Sequence, residues 1–181
     1  RVKTKYGSFQ EYIEGFVPLH RLEKEAFSNI SLEEFQLLVV FDILIGNTDR
    51  HMANLLVGES KIAAIDHGYC FPDAVTGVMG LLWEELPLGK EPFLPQIEKL
   101  VANLPMEELG VKLHKRCFRS VSVVARMRER VALLRAAIEA NYTPFEMREL
   151  FSRENLIDLY ELDSTLPQEA KRIVSKGNSS S

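Results

Sequence analysis

Apolar and polar positions along this chain change their rhythm twice. From residue 35 to 45 the sequence reads F-Q-L-L-V-V-F-D-I-L-I, apolar on nearly every face. Such a pattern predicts a helix enclosed by the core. Ahead of it, Ser31-Leu32-Glu33-Glu34 has the spacing of a capping box, in which Ser31 accepts from an open backbone amide and Glu34 reaches back. Gly46-Asn47 stops the helix. Two short apolar runs follow, 54–57 and 61–65, around Gly58-Glu59-Ser60, and they predict a β-hairpin. Residues 6–14, with the turn pair Gly7-Ser8, predict a short extended segment.

Beyond residue 66 the pattern breaks. Residues 67–91 carry Gly68, Pro72, Gly77, Gly80, Pro87 and Gly89, which predicts mainly loop. Helical spacing then returns at Ile97, Leu100, Val101 and Leu104. It runs on through 117–140, where Val121, Val124, Met127, Val131, Leu134 and Ile138 define one long amphipathic helix. Thr143-Pro144-Phe145-Glu146 supplies a cap, a proline at the first helical position and a box glutamate. The polar stretch 176–181 is expected to fray. The fold class expected is α+β, mainly helical, with one small hairpin.

Composition narrows the partners. With 181 residues and a net charge of −4, the chain has a core-sized apolar fraction and no global basic field to attract nucleic acid. The local exception is 112–130, with seven Lys/Arg against one Glu. This reads as a solvated helix face, with a membrane or partner surface as the alternative. Cys70 and Cys117 fit no metal spacing and read as buried, reduced thiols. His20 and His114 read as surface or satisfied histidines, Trp83 and Phe93 as core. No apolar run is long enough to span a membrane.

The chemistry concentrates where helix meets hairpin. Asn47-Thr48-Asp49-Arg50-His51-Met52-Ala53-Asn54 links the two, and Ile65-Asp66-His67-Gly68 closes the second strand. Asp49 is then offered on a loop held by a core helix, Asn54 begins one strand, and Asp66 ends the other. A hairpin brings its open ends together, so Asn54 and Asp66 should converge. One carboxylate and one amide oxygen suit Mg²⁺, which prefers oxygen ligands and leaves room for phosphate. A second carboxylate orients or deprotonates a hydroxyl. Phosphoryl transfer demands this combination.

D-R-H-x-x-N followed by a hydrophobic strand and D-x-G resembles the catalytic-loop and metal-loop pair of the phosphatidylinositol 3-/4-kinase-like family. Protein kinases reverse the first part as H-R-D. The similarity is greatest to type II phosphatidylinositol 4-kinases and the plant γ relatives. It covers roughly 7–152, through Gly7-Ser8-Phe9-Gln10-Glu11-Tyr12, the segment 64–72, Trp83 with Leu86-Pro87, Pro92-Phe93, Cys117-Phe118-Arg119, Leu133-Leu134 and Thr143-Pro144-Phe145-Glu146. The resemblance implies a protein-kinase-like C-terminal lobe. Residues 1–20 would end the linker between lobes and 21–175 would form the lobe. Within it lie the catalytic loop 46–54, metal loop 65–68, activation-type loop 67–91 and helical half 92–175, before a disordered tail 176–181. It also implies ATP with Mg²⁺ or Mn²⁺ as cofactors. Asp49, Arg50 and His51 would belong to the catalytic set, with Asp49 as base or hydroxyl-orienting group, Arg50 bracing the loop and His51 facing the γ-phosphate. Asn54 and Asp66 would bind the metal and, through it, the nucleotide.

The acceptor implied is phosphatidylinositol, in a cytoplasmic enzyme with peripheral membrane contact. Residues 67–82 contain no Lys or Arg, which argues against inositides already carrying several phosphates. Two alternatives stand beside it: a protein Ser/Thr kinase on the same fold, as in actin-fragmin kinase and HipA-type toxin kinases, or an inactive kinase-like binding module. Only 48 residues precede Asp49 and none forms a glycine-rich loop. The expectation is a lobe whose N-terminal partner lies elsewhere.

Overall fold

A computed structural model describes residues 13–23, 27, 30–59, 61–72, 86–117, 120–151, 155–156 and 166–178. The enclosed helix is α1, Leu32–Ile45. The hairpin consists of β2, Leu55–Val57, and β3, Ile62–Ala64, paired antiparallel with Leu55 opposite Ala64. A third strand, β1, Val17–Pro18, pairs with β2 and gives the order β1-β2-β3. At two residues β1 is too short for an alternation signal, and its proline is tolerated because β1 lies at an edge. The extended segment expected at 6–14 lies outside the described residues up to 12.

Ser31 does stand at the N-cap of α1, but its side chain makes no capping bond. Glu34 Oε2 instead accepts from the Ile62 amide at 3.2 Å. β3 is the far edge of the sheet, so its outward amides lack a strand partner. The glutamate expected to close a capping box thus anchors the hairpin to the first turn of α1.

The helical half follows a 3₁₀ turn at Pro87–Lys90. It comprises α2, Pro95–Ala102; α3, Met106–Cys117; α4, Val121–Glu139; the single turn α5, Pro144–Met147; and α6, Leu166–Asn178. α4 is the central rod, packed on α1, α2, α3 and α6. Phe35, Val39, Ile43, Leu55, Leu133, Leu134, Ala137 and Ile173 share one core. Buried Gln36 is satisfied at both ends: Nε2 donates to Pro92 O at 2.8 Å and Oε1 accepts from the Leu94 amide at 2.8 Å. This fixes the entry to α2 against α1. The Thr143/Glu146 capping box forms as expected. Phe93 is core and Cys70 is a buried thiol; Trp83 and the Cys117 side chain lie outside the described residues.

Four expectations are corrected. The long helix expected over 117–140 forms with all six of its apolar positions but starts later, at Val121: Cys117 ends α3, and Ser120 caps α4 by accepting from the Val123 amide. Secondly, α1 is not enclosed all round, since Leu37 and Phe41, one turn apart, face outward, Phe41 at 39% exposure. The basic stretch is not one solvated face either. Arg126 and Arg130 are buried, while Lys112 and Arg128 pair on the surface with Glu108 and Glu107. Finally, residues 176–178, the described part of the stretch expected to fray, are helical. They complete α6, whose Ala170, Ile173 and Val174 are buried and whose Val174 O accepts from the Tyr142 hydroxyl at 3.1 Å. Among the described residues, no helix is long and apolar enough to cross a membrane.

Candidate functional site

The loop that matters begins where α1 stops. Gly46 turns left-handed, with φ +63°, and the Asn47 amide folds back on Asp42 O at 2.9 Å. Asp42 sits on α1 with its carboxylate sealed in the interior. An ionised carboxylate there requires a partner, and Arg50 is that partner. Arg50 Nε lies 3.0 and 3.2 Å from the two oxygens, and Nη2 lies 3.0 Å from Oδ1. Asn47 Nδ2 adds a bond at 3.1 Å. Burial pushes the Asp42 carboxyl above its usual value, opposed by the Arg50 and Asn47 hydrogen bonds and by Arg50's charge.

Arg50 does more than neutralise Asp42. Its Nη1 donates to Asn54 O at 2.8 Å and to Ile65 O at 2.9 Å, the residues at the open end of the hairpin. These two residues face each other, because the Ile65 amide bonds Asn54 O at 3.0 Å. Nη2 also approaches His67 Nδ1 at 3.3 Å. A guanidinium only donates, so His67 Nδ1 accepts. One planar fork thus ties the end of α1, both hairpin strands and the segment after Asp66. At 1% exposure, the Arg50 side chain is enclosed. These carboxylate and carbonyl contacts are the ones the bracing reading expects of Arg50.

Of the other members of the set, Asp49, His51 and Asp66 are presented outward, while Asn54 is buried. The Asp49 amide is held by Asn47 Oδ1 at 2.9 Å, and Asp49 O accepts from Asn54 Nδ2 at 3.0 Å, while the Asp49 carboxylate is 43% exposed. His51 is exposed. Its Nδ1 accepts from the Ala53 amide at 3.2 Å, and its Nε2 stands 3.8 Å from Asp49 Oδ1. Asn54 ends a 3₁₀ turn, Met52–Asn54, just before β2. With Nδ2 engaged, its remaining functional atom is Oδ1, an oxygen. Asp66 lies two residues past β3, in register one step beyond Asn54, and is exposed. Its φ of +53° bends the chain, and its Oδ1 accepts from the Gly68 amide at 3.2 Å. Asn54 and Asp66 therefore stand at the same end of the hairpin, one register step apart. An amide oxygen and a carboxylate are donor types that Mg²⁺ prefers.

Sequence reasoning passed over three residues. Asp42 is the single acid within the apolar run 35–45, and a lone charge in such a helix signals a buried partner. Arg130 lies between Met127, Val131 and Leu134 on the inward side of α4. Glu34 carried a signal for a different role.

The family model for phosphatidylinositol 3- and 4-kinases matches residues 2–147. Over 159 residues the chain is 29% identical to phosphatidylinositol 4-kinase gamma 2 of Arabidopsis thaliana, covering 84% of this chain and 28% of that protein. It is 28% identical over 184 residues to phosphatidylinositol 4-kinase gamma 4 of the same plant, covering 98% and 32%. To phosphatidylinositol 4-kinase gamma 4 of Oryza sativa subsp. japonica it is 27% identical over 188 residues, covering 97% and 31%. The chain thus spans under a third of the length of these curated relatives. A match over most of the chain, on the residues that Arg50 gathers, settles the assignment: the chain belongs to the phosphatidylinositol 3- and 4-kinase family.

Proposed function

We propose that the full-length protein transfers phosphate from ATP to phosphatidylinositol, and that this chain supplies the catalytic and metal loops on a kinase-like C-terminal lobe. The observation that carries this reading is the Arg50 fork. It ties Asp42 on α1 to the backbone of Asn54 and Ile65 at the open end of the hairpin, the chain neighbours of Asp49's loop and of Asp66. Mg²⁺ or Mn²⁺ held by Asn54 Oδ1 and the Asp66 carboxylate would neutralise phosphate charge and align the nucleotide.

The rest falls to the protein. Asp49 presents its carboxylate to an acceptor hydroxyl, orients it and receives its proton. The three bonds on the Asp49 backbone limit the reorganisation this requires, which is how a fixed site lowers a barrier. His51, at the same edge, contributes a polar ring beside Asp49 and is placed to face the transferred phosphoryl group. The 67–82 segment lacks Lys and Arg, which favours an inositol ring without prior phosphates. On this reading the protein works in the cytoplasm, in peripheral contact with a membrane.

The test incubates full-length protein with labelled ATP, Mg²⁺ and either phosphatidylinositol vesicles or a cell lysate. Label in the lipid fraction that disappears with Asp49→Ala supports the proposal. Label in protein bands with none in lipid overturns the acceptor and favours a protein kinase. No transfer to either marks a binding module.

A further inference from the structure

Among the described residues, Arg130 is a buried cation to which the activity proposed above gives no part. Arg130 lies midway along α4, in the helical half, and is 2% exposed. The acid beside it in sequence, Glu129, pairs with Arg126 at 3.0 Å. Arg130 is held by backbone: Nε donates to Ile43 O at 2.8 Å and Nη2 to Leu44 O at 3.2 Å. These carbonyls belong to the last turn of α1, where helix geometry leaves acceptors open and the dipole is negative. Burial pushes the guanidinium down to about 10, with Glu129's charge opposing, so it is still a cation at neutral pH.

The neighbouring carbonyls complete the pattern. Asp42 O takes the Asn47 amide at 2.9 Å, and Ile45 O takes the Phe71 amide at 2.7 Å. The end of α1 is therefore gripped from the helical half by Arg130 and joined by Phe71 to the segment that follows Asp66. The space for the guanidinium exists because residue 46 has no side chain: a Cβ on Gly46 would lie 2.6 Å from Arg130 Cζ. That distance is far inside contact, so Gly46 serves both its left-handed turn and this seat.

We propose that Arg130 is a positioning residue for phosphoryl transfer, clamping the end of α1 from which the Asp49 loop departs and, through Phe71, the segment carrying Asp66. The proposal rests on the phosphotransferase reading. Reacting groups on two loops must keep their spacing, and a shift of about 1 Å can lower a rate by roughly 100-fold. Arg130 sets that spacing from α4, in the helical half.

The experiment compares Arg130→Met and Arg130→Lys in the full-length protein with its parent. Steady-state kinetics are normalised to folded protein, and amide hydrogen exchange is followed at Asn47 and Phe71. We expect Arg130→Met to lower kcat by about tenfold or more, with KM for ATP within threefold, and to speed exchange at both amides relative to those of α6. Lysine, which keeps the charge but not the fork, is expected to fall between. Parental kcat with unchanged exchange overturns the clamp, as does exchange that quickens equally throughout. If Arg130→Met does not fold, Arg130→Lys decides: parental kcat refutes, a kcat-specific loss supports. If the parent shows no transfer at all, the functional reading fails, and the exchange data still judge the clamp.

Discussion

Replacing Arg50 by methionine keeps most of the side-chain volume and removes the fork. Three things are then left exposed to the interior. The Asp42 carboxylate, sealed within α1, keeps only its bond from Asn47 at 3.1 Å. Ile65 O loses its donor, and Asn54 O keeps only the Ile65 amide. Stranding one member of a buried ion pair costs about 3–5 kcal/mol, against a total stability of about 5–15 kcal/mol for a domain. With an m-value of roughly 2 kcal/mol/M, the urea midpoint falls by about 1.5–2.5 M. The companion variant Asp42→Leu/Arg50→Met removes both charges, and a buried pair replaced by apolar groups is often neutral. The double variant should recover most of the lost stability and none of the activity, because the hairpin end is still unbraced. Urea melts of the parent, both single variants and the double close the cycle. Single-variant costs that simply add in the double would refute the argument that stranded charge is the cause.

Asp49→Asn, on an exposed carboxylate, should change stability by less than about 0.5 kcal/mol while abolishing transfer; an active variant removes Asp49 from its role. Asp66→Asn should raise the Mg²⁺ concentration needed for nucleotide-dependent thermal stabilisation, and an unchanged Mg²⁺ dependence argues against Asp66 as a ligand. Leu38→Ala, at 6% exposure, should cost about 2–5 kcal/mol. Phe41→Ala should cost clearly less despite its larger ring, because 39% of Phe41 faces outward; equal midpoints would contradict that difference. Burial raises the Asp42 carboxyl from 3.8, so the folded chain binds that proton more tightly than the unfolded one. As pH falls through this window the parent should gain stability relative to Asp42→Asn, and a relative loss would reverse the sign assigned to burial.

Local signals carried much of this architecture. The hairpin, the glycine stop at residue 46 and the Thr143 box depend on neighbours within a few residues, so their chemistry is readable in order along the chain. Asp49, Asn54 and Asp66 stand out in the sequence as a motif, and strand pairing sets the backbone of Asn54 and Asp66 at the same end of one hairpin. Three of the misses involve partners far apart in sequence. Glu34 has the spacing to close a capping box, yet the open edge of β3, 28 residues on, offered it a better donor. Arg130 reads as one more cation in a basic stretch until Ile43 O, 87 residues earlier, arrives beside it. Phe41 shares its helix with buried neighbours, and which face turns outward is decided by how α4 lies against α1. No periodicity within α1 records that choice.

The family motif and the packed body end at different places. The family match stops at residue 147, within α5, whereas α6 at Leu166–Asn178 seals the central helix α4. Trimming the chain to its recognisable stretch would leave the α4 surface that receives Ala170, Ile173 and Val174 facing water, and Tyr142 without its acceptor. Every named site residue would survive such a cut. The trimmed polypeptide would be sticky and short-lived in solution, so inactivity measured on it would report a missing wall rather than a missing chemistry.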